Sequence, residues 1–153
     1  MVIYYSWSGN TKAYAEALAG KKGLPLFRLE EKAARKASGK LSFLKACAQG
    51  ILKKKIEAVS LPDIAGCDEI FVCTPVWADG PAPTVRWFLD RARLEGKKVN
   101  LLFTYGSSQP EGFEKNTLAL LEGKGCTAGD IYAFTAKFRQ SVDMRAVEEN
   151  LSR

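Results

Sequence analysis

Six consecutive residues near the start of the chain, Ser6-Trp7-Ser8-Gly9-Asn10-Thr11, combine three hydroxyls, a carboxamide and a glycine. They lie between an apolar run and a segment of helical periodicity. Backbone N–H groups at such a junction, together with the positive end of the helix that follows, make an anion cradle. Gly9 lets the backbone approach the anion closely. No acid lies in the loop to repel a phosphate, and Lys12 follows it. An ordinary turn with Ser8 or Asn10 as helix N-cap would use the same residue types.

Two further segments carry groups suited to a planar ligand. Thr74-Pro75-Val76-Trp77-Ala78-Asp79-Gly80-Pro81-Ala82-Pro83 is stiffened by prolines and presents Trp77 just past a buried apolar run. Trp77 could stack on an aromatic ligand or simply cover the edge of a sheet. Thr104-Tyr105-Gly106-Ser107-Ser108 adds a second aromatic residue and backbone donors. A phosphate cradle with two segments able to hold the face and edges of a ring describes a site for a mononucleotide such as FMN.

Other chemistries are excluded. The chain has no histidine, so Ser-His-Asp and Cys-His catalysis within one chain, and zinc sites that need imidazole, are ruled out. Cys47, Cys67, Cys73 and Cys126 form no C-x-x-C pair. Cys73 lies in the run Ile70-Phe71-Val72-Cys73 and reads as buried filler. A C-x5-R phosphatase would need arginine at positions where Asp79 and Tyr132 stand. Neither G-x-G-x-x-G after the first strand nor G-x-x-x-x-G-K-[ST] occurs. The carboxylates that a phospho-accepting receiver domain places at its strand ends are missing. No catalytic side chain and no metal ligand set is indicated.

The elements that must position these loops alternate along the chain. Strands are predicted at Met1–Tyr5, Pro25–Leu29, Ile70–Cys73, Lys97–Phe103 and Asp130–Ala136, from short apolar runs rich in β-formers. Helices are predicted at Thr11–Ala19, Pro83–Ala92, Phe113–Leu121 and Val142–Leu151, from their spacing of apolar residues. Ile70–Cys73 is apolar throughout, as a strand covered on both faces would be. The order argues for an α/β fold, a doubly wound five-stranded parallel sheet. Ligands of such sheets sit beyond the carboxyl ends of the strands, where the strand order reverses. The three loops fall there. The 153 residues suit one domain.

The sequence here resembles the flavodoxin family, in particular its small FMN-binding members. Ser6 to Thr11 fits the family's phosphate-loop pattern, roughly [ST]-x-[ST]-G-N-[ST]. Thr74-Pro75-Val76-Trp77, with Pro81-Ala82-Pro83 and Phe88-Leu89, is similar to its second flavin loop, and Thr104 to Ser108 to its third. The resemblance implies strand order 2-1-3-4-5. It implies that Ser6, Ser8, Asn10 and Thr11 bind the FMN phosphate, with Trp7 and Gly9 in the same loop. Pro75, Val76, Trp77, Ala78, Asp79 and Gly80, with Thr104, Tyr105, Gly106, Ser107 and Ser108, would flank the isoalloxazine ring.

Charge sets the chain apart from the acidic electron carriers of that family. The net charge is +6, from 23 basic and 17 acidic residues. Lys32, Arg35, Lys36, Lys40, Lys45, Lys53, Lys54 and Lys55 fall in a stretch without one acid, which leaves 15 basic and 17 acidic residues elsewhere. The basic character thus belongs to a helical insertion at about residues 32–58. Phe43, Leu44, Cys47, Ala48, Ile51 and Leu52 give it an apolar stripe. A second subunit could cover that stripe and form a homodimer through the insertion. The basic stretch could also attract an acidic partner or an anionic surface. Nucleic acid is not expected, because base-stacking aromatics are missing apart from Phe43.

The resulting expectation is electron transfer through bound FMN. The chain would act as a carrier serving a redox partner protein, or as a small FMN-dependent oxidoreductase of a quinone-type electron acceptor. The alternative is a flavodoxin-fold binding or regulatory module that docks an acidic partner through its insertion. No apolar stretch is long enough to span a membrane, and no leader precedes the first strand, so the cytoplasm is expected.

Overall fold

A computed structural model describes residues 1–33, 48–106, 111–136 and 149. Ser107, Ser108, the first part of the apolar stripe (Phe43, Leu44, Cys47) and all but one residue of the expected final helix lie outside the described residues.

The strands are β1 (Val2–Tyr4), β2 (Leu26–Arg28), β3 (Glu69–Trp77), β4 (Gly80–Pro81), β5 (Lys98–Tyr105) and β6 (Thr127–Thr135). The helices are α1 (Asn10–Lys22), α2 (Pro83–Arg91) and α3 (Phe113–Leu118). The sheet runs β2-β1-β3-β5-β6, all parallel, with β4 paired antiparallel to β3. Without β4 this is the expected order, and the fold is doubly wound α/β.

Alternation along β3 explains both layers. Ile70 and Val72 join one core cluster, with Ile3, Val99 and Leu101, against Val85, Phe88 and Leu89 of α2. Phe71 and Cys73 join the other, with Val2, Tyr4 and Leu102, against Tyr14, Ala15, Leu18 and Ala19 of α1. The central strands are thus buried on both faces. Complete burial pushes the Cys73 thiol far above its usual range, so it is an inert filler.

One difference from expectation bears on function. The proline-rich segment after Cys73 is not a plain loop. β3 continues through Pro75 to Trp77, and β4 folds back on it with Val76 opposite Pro81 and Trp77 opposite Gly80. Prolines lack an N–H, so they argue against a strand in sequence. Here Thr74 closes the hairpin, its hydroxyl accepting from the Ala82 N–H at 3.0 Å and donating to the Pro75 carbonyl.

The insertion leaves and rejoins the domain at one point. Glu31 and Ala58 form an antiparallel bridge. The Lys32 N–H donates to the Glu57 carbonyl and the Val59 N–H to the Glu30 carbonyl. Lys32 also pairs with Glu57 at 2.9 Å.

Candidate functional site

Three segments converge at the carboxyl ends of β1, β3 and β5, as the strand order requires. The first, residues 6–11, enters α1. Gly9 is the N-cap with φ 95°, a left-handed conformation that suits glycine. The alternative of an ordinary turn capped by Ser8 or Asn10 is not what is found: Gly9 holds the N-cap position, no side-chain cap hydrogen bond is made among the described residues, and the first turn carries no acid. Ser8 and Gly9 are exposed and Ser6 half-buried. The Ser6 hydroxyl accepts the Gly9 N–H at 3.1 Å, which tightens the loop. This uncapped N-terminus of a long helix is what an anionic phosphate would satisfy.

Asn10 and Thr11 have further roles. The Asn10 carboxamide donates to the Ala136 carbonyl at 3.3 Å, just past β6. The Thr11 hydroxyl is buried and bonds the Thr104 hydroxyl at 2.8 Å. The first and third segments are thus fastened side chain to side chain. Tyr105 is half-buried and Gly106 exposed beside that contact.

The second segment is the β3–β4 hairpin. Pro75 and Val76 are half-buried, Ala78 is exposed at the turn, and Asp79 is half-buried. Ala78 has φ 59°, a conformation that costs a residue with a Cβ about 1–2 kcal/mol. Trp77 does not present an open face. The residue is 8% exposed, and its ring packs edge-on against Tyr5 and Trp7, with centroids at 6.1 and 5.7 Å. Residues 48–51 are helical, and Gly50 lies so close to the Trp77 backbone that a Cβ would meet its carbonyl at 3.0 Å. The returning end of the insertion thus leans on the hairpin.

Two residues outside the sequence-based set hold the turn. Asn116 of α3 donates its carboxamide to the Asp79 carbonyl at 3.0 Å and to the Asp79 carboxylate at 2.9 Å. Arg86 of α2 donates from Nε to the Pro81 carbonyl at 3.0 Å. Neither could be found from a motif, because only the packing of α2 and α3 brings them to the turn. Glu31, at the root of the insertion, accepts from the Tyr5 hydroxyl at 2.8 Å and from the Thr84 hydroxyl at 3.4 Å.

Among the described residues no group of three or more His, Cys, Asp or Glu could hold a metal ion. No helix among them is long and apolar enough to cross a membrane. Ile51 and Leu52, at the end of the insertion's stripe, are 68% and 64% exposed.

No family model matches the chain, and no curated protein matches it. Solved structures do. A candidate flavoprotein from Bacteroides uniformis ATCC 8492 superposes with a TM-score of 0.80 at 19% identity, covering 100% of this chain and 97% of its own. A flavoprotein in complex with FMN from Lactobacillus acidophilus NCFM gives 0.72 at 22%, covering 98% and 96%. Two-electron reduced Megasphaera elsdenii flavodoxin gives 0.57 at 19%, covering 98% and 97%. The chain therefore has the flavodoxin-like fold.

Proposed function

We propose that this chain is an FMN-binding redox protein. The observation that carries the proposal is the fastening of the helix-entry loop to the end of β5 by the Thr11–Thr104 bond, beside an uncapped helix N-terminus. One end of such a site suits a phosphate, and the braced hairpin offers a rigid neighbour for a planar ring. The FMN-bound structural neighbour supports the reading.

In this reading Ser6, Ser8 and the backbone of residues 8–11 hold the phosphate, and the hairpin turn and Tyr105 border the ring. FMN when bound supplies one- or two-electron redox chemistry, which the protein tunes by its charges and hydrogen bonds. The chain passes electrons as a carrier or as a small reductase of a quinone-type acceptor. The basic segment gives the redox partner an electropositive docking side, where Lys53 and Lys54 directly follow the exposed Ile51 and Leu52. We place the protein in the cytoplasm.

The test is a visible absorption spectrum of the purified protein, before and after addition of FMN and removal of the unbound excess. Flavin bands that stay with the protein are expected. Absence of flavin and of uptake would overturn the reading and favour a docking module.

A further inference from the structure

The hairpin turn rests on a buried cation. Arg86 is 4% exposed. Its Nε is bonded to the Pro81 carbonyl, but its Nη2 is buried with no hydrogen-bond partner among the described residues. The guanidinium lies directly against Gly80, where an added Cβ would collide with Nη2. Buried guanidinium groups are normally paired and fully bonded, because an uncompensated buried charge is expensive. The nearby carboxylate, Asp79, makes no direct ion pair with it and is instead bonded by Asn116. A positive charge is therefore held beneath the turn, only partly balanced.

We propose that Arg86 is a positioning and potential-setting residue: its buried guanidinium braces the 78–80 turn and electrostatically favours the reduced, more negative form of the flavin bound there. The inference rests on the FMN reading. Burial pushes the Arg86 guanidinium below arginine's usual range, and the charge of Asp79 works against that. An arginine nevertheless keeps its proton in a protein. Reduction of FMN by two electrons with uptake of one proton adds one net negative charge to the ring. A fixed cation in a poorly solvated layer favours that state. Asp79, half-buried in the same turn and bonded by Asn116, acts in the opposite direction.

The experiment uses the full chain loaded with FMN. Affinity for oxidised FMN is measured by fluorescence titration, and the two-electron midpoint potential by equilibration with reference dyes. Wild type is compared with Arg86→Lys, Arg86→Met and Asp79→Asn. Arg86→Met is expected to lower the preference for reduced over oxidised FMN about tenfold, equivalent to a downward shift of about 30 mV. Arg86→Lys should keep most of the wild-type potential, and Asp79→Asn should raise it. If Arg86→Met fails to fold, Arg86→Gln supplies the uncharged comparison and keeps a donor for Pro81. A purely structural role would weaken both redox states equally, and an unmoved potential would overturn the assignment. A wild-type chain that takes up no FMN would overturn both this inference and the function beneath it.

Discussion

The hydroxyls of Thr11 and Thr104 lie 2.8 Å apart in the buried interior, joined across 93 positions of sequence. Neither residue could lose its partner without leaving a polar atom stranded. Thr11→Val or Thr104→Val alone should cost about 1–3 kcal/mol, the penalty for a buried group left unsatisfied. The double variant should recover most of that loss, because both polar atoms are then gone. Urea unfolding of the apoprotein in a double-mutant cycle gives the coupling. Additive single costs would show that the two hydroxyls do not depend on each other.

Asn116 contributes differently, since it grips Asp79 by both backbone and side chain. Asn116→Ala should lower stability by about 1 kcal/mol and weaken FMN binding by loosening the turn. Asn116→Asp should do more harm at neutral pH, by setting two carboxylates together, and the added harm should shrink in high salt. Flavin titration at low and high salt reads both effects. Wild-type affinity in Asn116→Ala would show that the hairpin is rigid without this brace.

Ala78 holds a left-handed backbone at the tip of the hairpin. Relief of about 1–2 kcal/mol of strain outweighs the entropy a glycine adds to the unfolded chain, about 0.4–1 kcal/mol. Ala78→Gly should therefore raise the thermal midpoint of the apoprotein, and Ala78→Val should lower it. A lower midpoint for the glycine variant would mean that the side chain contributes packing that outweighs the strain.

Acid sensitivity should trace in part to the opposite end of the sheet. Asn100 is fully buried, and its carboxamide donates to Glu69 at 2.9 Å and to the Ile70 carbonyl at 3.3 Å. Its oxygen accepts the Asp130 N–H at 2.8 Å, where the β5–β6 register shifts. The Asn100 bond foremost, aided by Lys98 against a desolvation penalty, holds the Glu69 carboxyl below the ordinary value of 4.5. A carboxylate with a depressed folded pKa stabilises the fold above its unfolded pKa, and that contribution fades as pH falls through the folded value. The Glu69 side chain is 43% exposed, so solvent screening keeps the effect small. Chemical unfolding at pH 6 and at about pH 3.5 should show a smaller drop for Glu69→Gln than for wild type. Equal drops would assign the acid sensitivity elsewhere.

The parts legible in the sequence are those governed by local periodicity. The apolar block Ile70–Cys73 announces a strand buried on both sides, and Val85, Phe88 and Leu89 announce the inner face of α2. The three site segments could be located because a parallel sheet brings its loops to one edge. Contacts made by the packing of distant helices were not legible. Nothing in the spacing of Asn116 or Arg86 points to residue 79 or 81. The β3–β4 hairpin was concealed by its prolines; the missing N–H of Pro81 is tolerated because β4 pairs with β3 alone, while Pro75 sits in β3 opposite Thr104 of β5. Trp77 was legible as an aromatic at the site's margin, but not as one packed between Tyr5, Trp7 and Gly50.

The bridge between Glu31 and Ala58 makes the basic excursion a side branch of the fold. Once its ends are pinned, lengthening the branch costs little, about 0.6 kcal/mol for each doubling in a flexible loop. Evolution can thus trim, extend or recharge this branch while the parallel sheet keeps its register. Whatever its length, the branch must come home past Gly50, beside the hairpin. Changes in the branch can therefore reach the hairpin through Gly50 without rebuilding the sheet beneath it.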